Sequence, residues 1–227
     1  MISIIIPTLN RPYQLINSLD KLEETTEGIP IEIVVIADEG DIKTITACKD
    51  YFQERAARRD NQNNYILQVV KGSPTSVEKW NSGAMRSSGE WLVLGADDLD
   101  WSFGWLRKSL DTPNKGFLAL QDFDLSEKNF EPHYMATRAW LKEFNGGVLT
   151  IPWYKYWGPD LEIAKRAQRA GHYVVSAAVV PHKHYLWNLT SNDSTYKKAK
   201  PYLKTDLDKF NERELKGFPN DFDPIIT

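Results

Sequence analysis

Four short apolar runs, separated by stretches of helical periodicity, constrain the fold of this 227-residue chain more than any other feature. Ile2–Ile6, Ile31–Ala37, Tyr65–Val70 and Trp91–Leu94 are near-continuous apolar segments of strand length. Leu15, Ile16, Leu19 and Leu22 follow the first at helical spacing, and Ile42, Ile45, Phe52 and Ala56 follow the second. A third helix is predicted over 75–88, with Val77, Trp80 and Ala84 on one face. Strands apolar on both faces belong to a parallel sheet covered by helices on both sides. The predicted class is therefore α/β, with a Rossmann-like, mostly parallel sheet flanked by helices. Asn10 is predicted to cap the first helix, with Pro12 at its first position.

The second half of the sequence is less regular. Strands are predicted at 116–121, 133–136 and 173–180, and a short helix at 137–144 ends at Gly146-Gly147. A helix over 159–170 opens on Pro159 and stops at Gly171. Residues 1–101 form one half of the predicted domain, 102–187 a smaller second half, and 188–227 a charged, helical tail. In that tail Lys197, Lys198, Lys200 and Lys204 either meet an anionic partner or, given Asp206, Asp208, Glu212 and Glu214, form a solvated helix face.

Composition excludes some functions. A net charge of −3 offers no general basic field for nucleic acid or an anionic membrane. No apolar stretch reaches the roughly 20 residues that span a bilayer. The one cysteine, Cys48, cannot form an internal disulfide, and the N-terminus has no secretory pattern, so the expected location is the cytoplasm. Asn188-Leu189-Thr190 matches a glycosylation acceptor and is read as chance.

Ligands of open α/β sheets bind beyond the carboxyl ends of the strands. Three loops lie there: PTLNRP (7–12), ADEGD (37–41) and GADDLD (95–100). Crowded carboxylates after a buried strand suit a hard divalent cation, so Asp97 and Asp98 are candidate ligands for Mn2+ or Mg2+ bound with a diphosphate. A solvated turn is the plainer account of such a pair, and Asp100 is read as a helix cap. Arg11 adds positive charge for the same phosphates. Asp38 and Glu39 either accept hydrogen bonds from a ribose or base, or close a turn. Asp160, in the first turn of a helix, is either a general base or a complement to the helix dipole. Glu162 is read as an i+4 partner of Arg166. His182 and His184 make an incomplete zinc set; one of them joins the carboxylates on a divalent metal, or both are surface residues. Trp153, Tyr154, Tyr156 and Trp157 either stack on a sugar or pack together.

Taken in order, ISIIIPTLNRP, IEIVVIADEG, KWNSGAMRSSGEWLVLGADD, GPDLEIAKRAQRAG and VVPHKH resemble the inverting nucleotide-sugar glycosyltransferases of family 2, which have the GT-A fold. The likeness covers roughly residues 1 to 187. It implies that Thr8, Asn10 and Arg11 line the nucleotide pocket and that Asp38 and Glu39 contact uracil or ribose. It also implies further donor contacts from Lys79 and Asn81, and a metal ligand in Asp97, matching the last Asp of the family's DxD. Asp160 then matches the catalytic base, and His182 or His184 a metal-binding histidine. Two positions depart: Gly95 replaces the first Asp of DxD, and Pro159 replaces the Glu before the base.

The expected function is metal-dependent, inverting transfer of a sugar from a nucleotide-diphospho-sugar, a UDP-sugar foremost, to an acceptor hydroxyl. A glycan, a lipid-linked sugar, a protein or a modified base would serve as acceptor. The alternatives are a nucleotidyltransferase, against which stands the lack of a Gly- and Lys-rich phosphate loop, and a non-catalytic nucleotide-sugar-binding module.

Overall fold

The computed structural model describes residues 1–122, 130–183 and 193–226. Its centre is a seven-stranded sheet in the order β3-β2-β1-β4-β6-β5-β7. The strands are β1 (Ile2–Thr8), β2 (Ile31–Asp38), β3 (Asn64–Val70), β4 (Trp91–Leu94), β5 (Phe117–Gln121), β6 (His133–Thr137) and β7 (Val175–Val179). The strands β1 to β4 are mutually parallel, as their apolar character predicts. By contrast β6 runs antiparallel to both β4 and β5, while β7 is parallel to β5.

The two-residue repeat of the strands divides the core. Ile4, Ile6, Ile33 and Val35 face the helices α1 (Pro12–Thr25) and α2 (Ile42–Ala56), where Leu15, Leu19, Leu22 and Phe52 meet them. Ile5, Val34, Ile36, Leu92 and Leu94 face the other way, with Ala84 of α3 (Ser76–Arg86), Trp140 and Leu141 of α5 (Arg138–Phe144) and Ile163 of α6 (Pro159–Arg169). The third helix lies so close to the sheet that a Cβ on Gly83 would stand 2.4 Å from Cγ2 of Ile5. Only glycine permits that approach. Beyond the fourth strand, α4 (Trp105–Asp111) packs Trp105 and Leu106 on the first side.

Several local expectations shift. Asn10 does not cap α1: it takes a left-handed backbone (φ 56°), which Asn tolerates, and the cap position falls to Arg11 with Pro12 beginning the helix. The amide N–H of Asn10 donates instead to Asp41 Oδ2 (2.5 Å), while Oδ1 of Asp41 caps α2 through the N–H of Thr44 (3.2 Å). The third helix starts one residue late because Thr75 is its cap, with Glu78 completing a capping box. The seventh strand is shorter than its apolar run, since it lies at the sheet edge and pairs only irregularly with β5.

The C-terminal segment is more than a solvated face. It contains α7 (Ser194–Ala199), a 3-10 turn at Lys200–Tyr202 and α8 (Leu203–Leu215). Phe210 and the following Phe218 pack with Val77, Val148, Ile151 and Tyr154. Asp206, expected at a solvated surface, is buried and accepts the backbone N–H groups of Lys155 (3.1 Å), Tyr156 (2.9 Å) and Trp157 (2.9 Å). Among the described residues, no helix is long and apolar enough to cross a membrane.

Candidate active site

Strand register builds the site. Leu94 pairs with Ile5, so the loop after β4 runs on beside the last residues of β1 and brings Asp97 level with Thr8. The Thr8 hydroxyl donates to Asp97 Oδ2 (2.7 Å). Arg11, at the start of α1, puts Nη1 2.7 Å from Asp97 Oδ1 and 3.1 Å from Asp98 Oδ2. Both oxygens of Asp97 are thus engaged. Asp98 Oδ1 instead lies 3.2 Å from His182 Nε2, and its Oδ2 accepts the Tyr196 hydroxyl (2.5 Å). At the neighbouring strand end Asp38 pairs with Lys79, whose ammonium also donates to the carbonyl of Thr8 (2.7 Å).

A cavity of about 170 Å³ opens over these strand ends. Of the residues singled out from the sequence, Thr8, Arg11, Lys79, Asp97, Asp98 and His182 line it. Asp38 sits just outside that lining, tied to it through Lys79. Glu39 is exposed beyond it. Asn81 faces elsewhere: its amide exchanges hydrogen bonds with the backbone of Thr150 (2.7 and 2.9 Å), fastening α3 to the loop after α5. Asn10 does not line the cavity, and its side-chain amide donates to Ser194 Oγ (3.4 Å). Asp160, half-buried in the first turn of α6, is not among the residues that line the cavity, although its charge helps to raise His182. His184 lies outside the described residues.

Burial and charge set the ionisation of the cluster. Burial works to lower the His182 imidazole, but the carboxylates of Asp98, Asp122 and Asp160 outweigh it and hold the ring above its ordinary pKa. Against the same burial, His182 and Arg11 hold Asp98 well below the usual carboxylate range. Burial and the like charge of Asp98 push Asp97 up, against the pull of Arg11. Lys79 is lowered by burial, with Asp38 acting in the other direction. The like charges crowded after β4 are therefore offset by the Arg11 guanidinium and met by the His182 ring, both drawn from distant parts of the chain.

Asp100, expected as a cap, instead pairs with Lys21 and Lys183 (3.0 Å to the latter), and α4 begins at Trp105 behind a left-handed Gly104 (φ 70°). The aromatic segment splits. Tyr154 is buried with its hydroxyl on Glu162 (2.6 Å), whereas Tyr156 and Trp157 line the cavity. Trp153 is exposed.

Two contributors, His133 and Tyr196, were not visible from the sequence. His133 lines the cavity, edge-on to His182 with ring centroids 4.8 Å apart. Its Nδ1 is 2.9 Å from the carbonyl oxygen of Leu94, which can only accept, so Nδ1 carries the proton. The available signal was its place at the start of a predicted strand; reversing that strand brings its first residue to the carboxyl end of β4. Tyr196 of α7 also lines the cavity, as does Lys198 of the same helix, one of the tail lysines for which an anionic partner is one of the two readings of the sequence.

The metal question can be put to the donor atoms. Neighbouring ligands of octahedral Mg2+, held at about 2.0–2.1 Å, stand about 3 Å apart. Asp98 Oδ1 and His182 Nε2, at 3.2 Å, fit two such positions beside the cavity. Among the described residues no three carboxylate, imidazole or thiol groups form a ready-made cage. A cation here would complete its shell from phosphate and water, as Mg2+ commonly does.

Gly95 has a structural reason. A Cβ there would meet the carbonyl oxygen of Ile5 and Cγ1 of Ile6, each at 3.0 Å, and Cγ2 of Ile4 at 3.1 Å. Gly95→Asp is expected to destabilise the protein by about 1–3 kcal/mol through overpacking, with no gain in metal binding. Urea unfolding would measure this; unchanged stability would show that the loop makes room for the side chain.

The family model for Glycosyl transferase family 2 matches residues 3–157. No curated protein sequence matches the chain. Among solved structures, the chain is similar to the mannosyltransferase PcManGT from Pyrobaculum calidifontis in complex with GDP-Man and Mn2+, with a TM-score of 0.58 at 15% identity. That alignment covers 77% of this chain and 55% of the other. TarS 1-349 of S. aureus aligns with a TM-score of 0.57 at 15% identity, over 79% of this chain and 59% of that one. Glucosyl-3-phosphoglycerate synthase from Mycobacterium tuberculosis, in complex with Mn2+, UDP and phosphoglyceric acid, gives 0.53 at 14% identity over 81% and 71%. The chain thus spans little more than half the length of the first two. At these identities the likeness is one of fold.

Proposed function

The chain belongs to glycosyl transferase family 2, and from that membership we propose that it transfers a sugar from a nucleoside-diphosphate donor to an acceptor hydroxyl, with inversion and with the help of Mn2+ or Mg2+. One observation carries the reading. Arg11, Asp97, Asp98, Lys79 and His182 converge on a cavity at the carboxyl ends of β1 and β4.

In this reading the donor lies across the ends of β1, β2 and β4, with Thr8, Arg11, Asp38 and Asp98 around it. Asp98 and His182 would hold the cation, with Asp97 fixing the Arg11 guanidinium behind them. When bound, the cation supplies Lewis-acid stabilisation of the departing diphosphate. Asp160 takes the proton of the acceptor hydroxyl as its oxygen attacks the anomeric carbon from the face opposite the diphosphate. The new carbon–oxygen bond forms as the bond to the phosphate oxygen breaks, and the electron pair leaves with the diphosphate. Tyr156 and Trp157 offer aromatic faces at the cavity wall. The donor class is a UDP-sugar or, by analogy with PcManGT, a GDP-sugar; a glycan, lipid-linked sugar, protein or modified base, or a small phosphorylated acid as in the phosphoglycerate synthase, is the acceptor.

A panel of nucleotide-sugars, assayed for binding and hydrolysis with and without Mn2+, tests this. One donor is expected to bind at least about tenfold more tightly with Mn2+, and Asp98→Ala is expected to lose that increment. Equal affinity with and without Mn2+ would remove the cation from the proposal. No binding or turnover of any donor would remove the transfer itself.

A further inference from the structure

The matched family segment ends at residue 157, yet one wall of the cavity is built by the chain beyond it. The seventh helix is fastened across the strand ends from both sides. Asp193 clasps the Arg11 guanidinium (Nε–Oδ2 2.7 Å, Nη2–Oδ1 3.2 Å), and the Thr195 hydroxyl donates to the carbonyl of Leu9 (2.8 Å). At the other end the Trp157 indole N–H donates to the carbonyl of Ala199 (3.0 Å). Lys198 is thereby held at the cavity, its ammonium 2.9 Å from the carbonyl of Pro74 and 3.5 Å from Asp38 Oδ2.

Charge matching singles this lysine out. Asp38 already has a buried cationic partner in Lys79, so Lys198 is a second ammonium on one carboxylate. Lys79 is sealed in, at 4% side-chain exposure, and spends a further N–H on Thr8. Lys198 is 24% exposed and can turn toward a ligand. The hydroxyl of Tyr156, also at the cavity, is buried and has no hydrogen-bond partner among the described residues. A surplus cation beside an unsatisfied buried hydroxyl matches an anionic ligand rich in acceptor oxygens.

We propose that Lys198 is a donor-binding residue that takes a phosphate oxygen of the nucleoside diphosphate, that the Tyr156 hydroxyl donates to the same ligand, and that the tail helix is therefore a wall of the donor site. This rests on reading the cavity as a nucleotide-sugar site.

Calorimetry on the full chain with Mn2+ tests it, using UDP, GDP, ADP, CDP and dTDP together with the corresponding nucleosides. Lys198→Met is expected to weaken whichever diphosphate the parent protein binds by about tenfold or more, with nucleoside affinity changed less than about twofold. Tyr156→Phe, which keeps the ring, is expected to weaken the same diphosphate by about fivefold. Thermal melts matching the parent establish that both variants fold. Unchanged diphosphate affinity in Lys198→Met overturns the assignment. Equal losses for diphosphate and nucleoside also overturn it, since they mark Lys198 as a pin for the helix, and tighter binding marks the helix as a competitor for the site. If the parent protein binds none of the diphosphates, the donor-site reading falls, and the inference with it; that result is distinct from a parent that binds and a variant that binds equally well.

Discussion

Asp160→Asn is expected to lower sugar transfer by about 10²–10⁴-fold, the range of a positioned general base, while donor affinity stays within about twofold. The substitution is nearly isosteric and removes the ability to take a proton. Its setting separates this from the plainer role. Asp160 stands in the first turn of α6, where a carboxylate also complements the helix dipole. If that were all it did, asparagine would lose about 0.3–1 kcal/mol of stability and turnover would be unchanged. Donor turnover, donor affinity and a thermal melt, measured on the same variant, distinguish the two. Unchanged turnover would end the assignment of Asp160 as base. Before it, Gly158 takes a left-handed backbone (φ 87°), and Pro159 opens the helix where its missing N–H costs nothing.

How far the sequence reveals such a site depends on where each residue's partner lies. The first four strands are legible because β1 and β2 are buried on both faces, and burial on both faces leaves an uninterrupted apolar run. Parallel strands then place PTLNRP and GADDLD at one edge without further information. Periodicity reports burial and not neighbours, so it could not show that β6 is antiparallel, nor that this reversal carries His133 to His182. The tail was hidden for a related reason. Its charges satisfy the pattern of a solvated helix, yet Asp206 and Arg213 are buried and Lys198 faces the cavity. Their partners, Lys155 to Trp157, Glu162 and Asp38, are between 49 and 160 positions away in sequence. Local pattern cannot carry that. Asn10 and Asp100 misled as caps because both residue types favour caps, turns and ion pairs alike, and tertiary partners decided between them.

Glu162→Ala carries the largest expected stability change. Glu162 is fully buried and accepts hydrogen bonds from Tyr154 (2.6 Å), from Arg166 Nε and Nη2 (3.0 and 2.7 Å), and from Arg213 Nε and Nη2 (2.9 and 3.1 Å). The local i+4 pair with Arg166 is thus only part of its role; the carboxylate also joins the helix bearing Asp160 to α8. Breaking a buried ion pair by removing one partner costs about 3–5 kcal/mol, because the charge left behind is uncompensated. Here two guanidinium groups would be left, but each keeps other acceptors. Arg213 retains Asp221 (2.7 Å) and the carbonyl of Pro219 (2.8 Å), and Arg166 retains Asn220 (2.7 Å). The expected loss is therefore about 3 kcal/mol, a drop in Tm of about 6–12 °C for a chain of this size. The double variant Glu162→Ala/Arg213→Met, which removes an orphaned charge along with its partner, is expected to recover at least about 1 kcal/mol relative to additivity. Calorimetric melts of the two single variants and the double variant give that coupling directly. A Glu162→Ala protein within about 0.5 kcal/mol of the parent would mean that the arginines are held by their other acceptors alone, and that the tail is joined to the helix of the base by apolar packing.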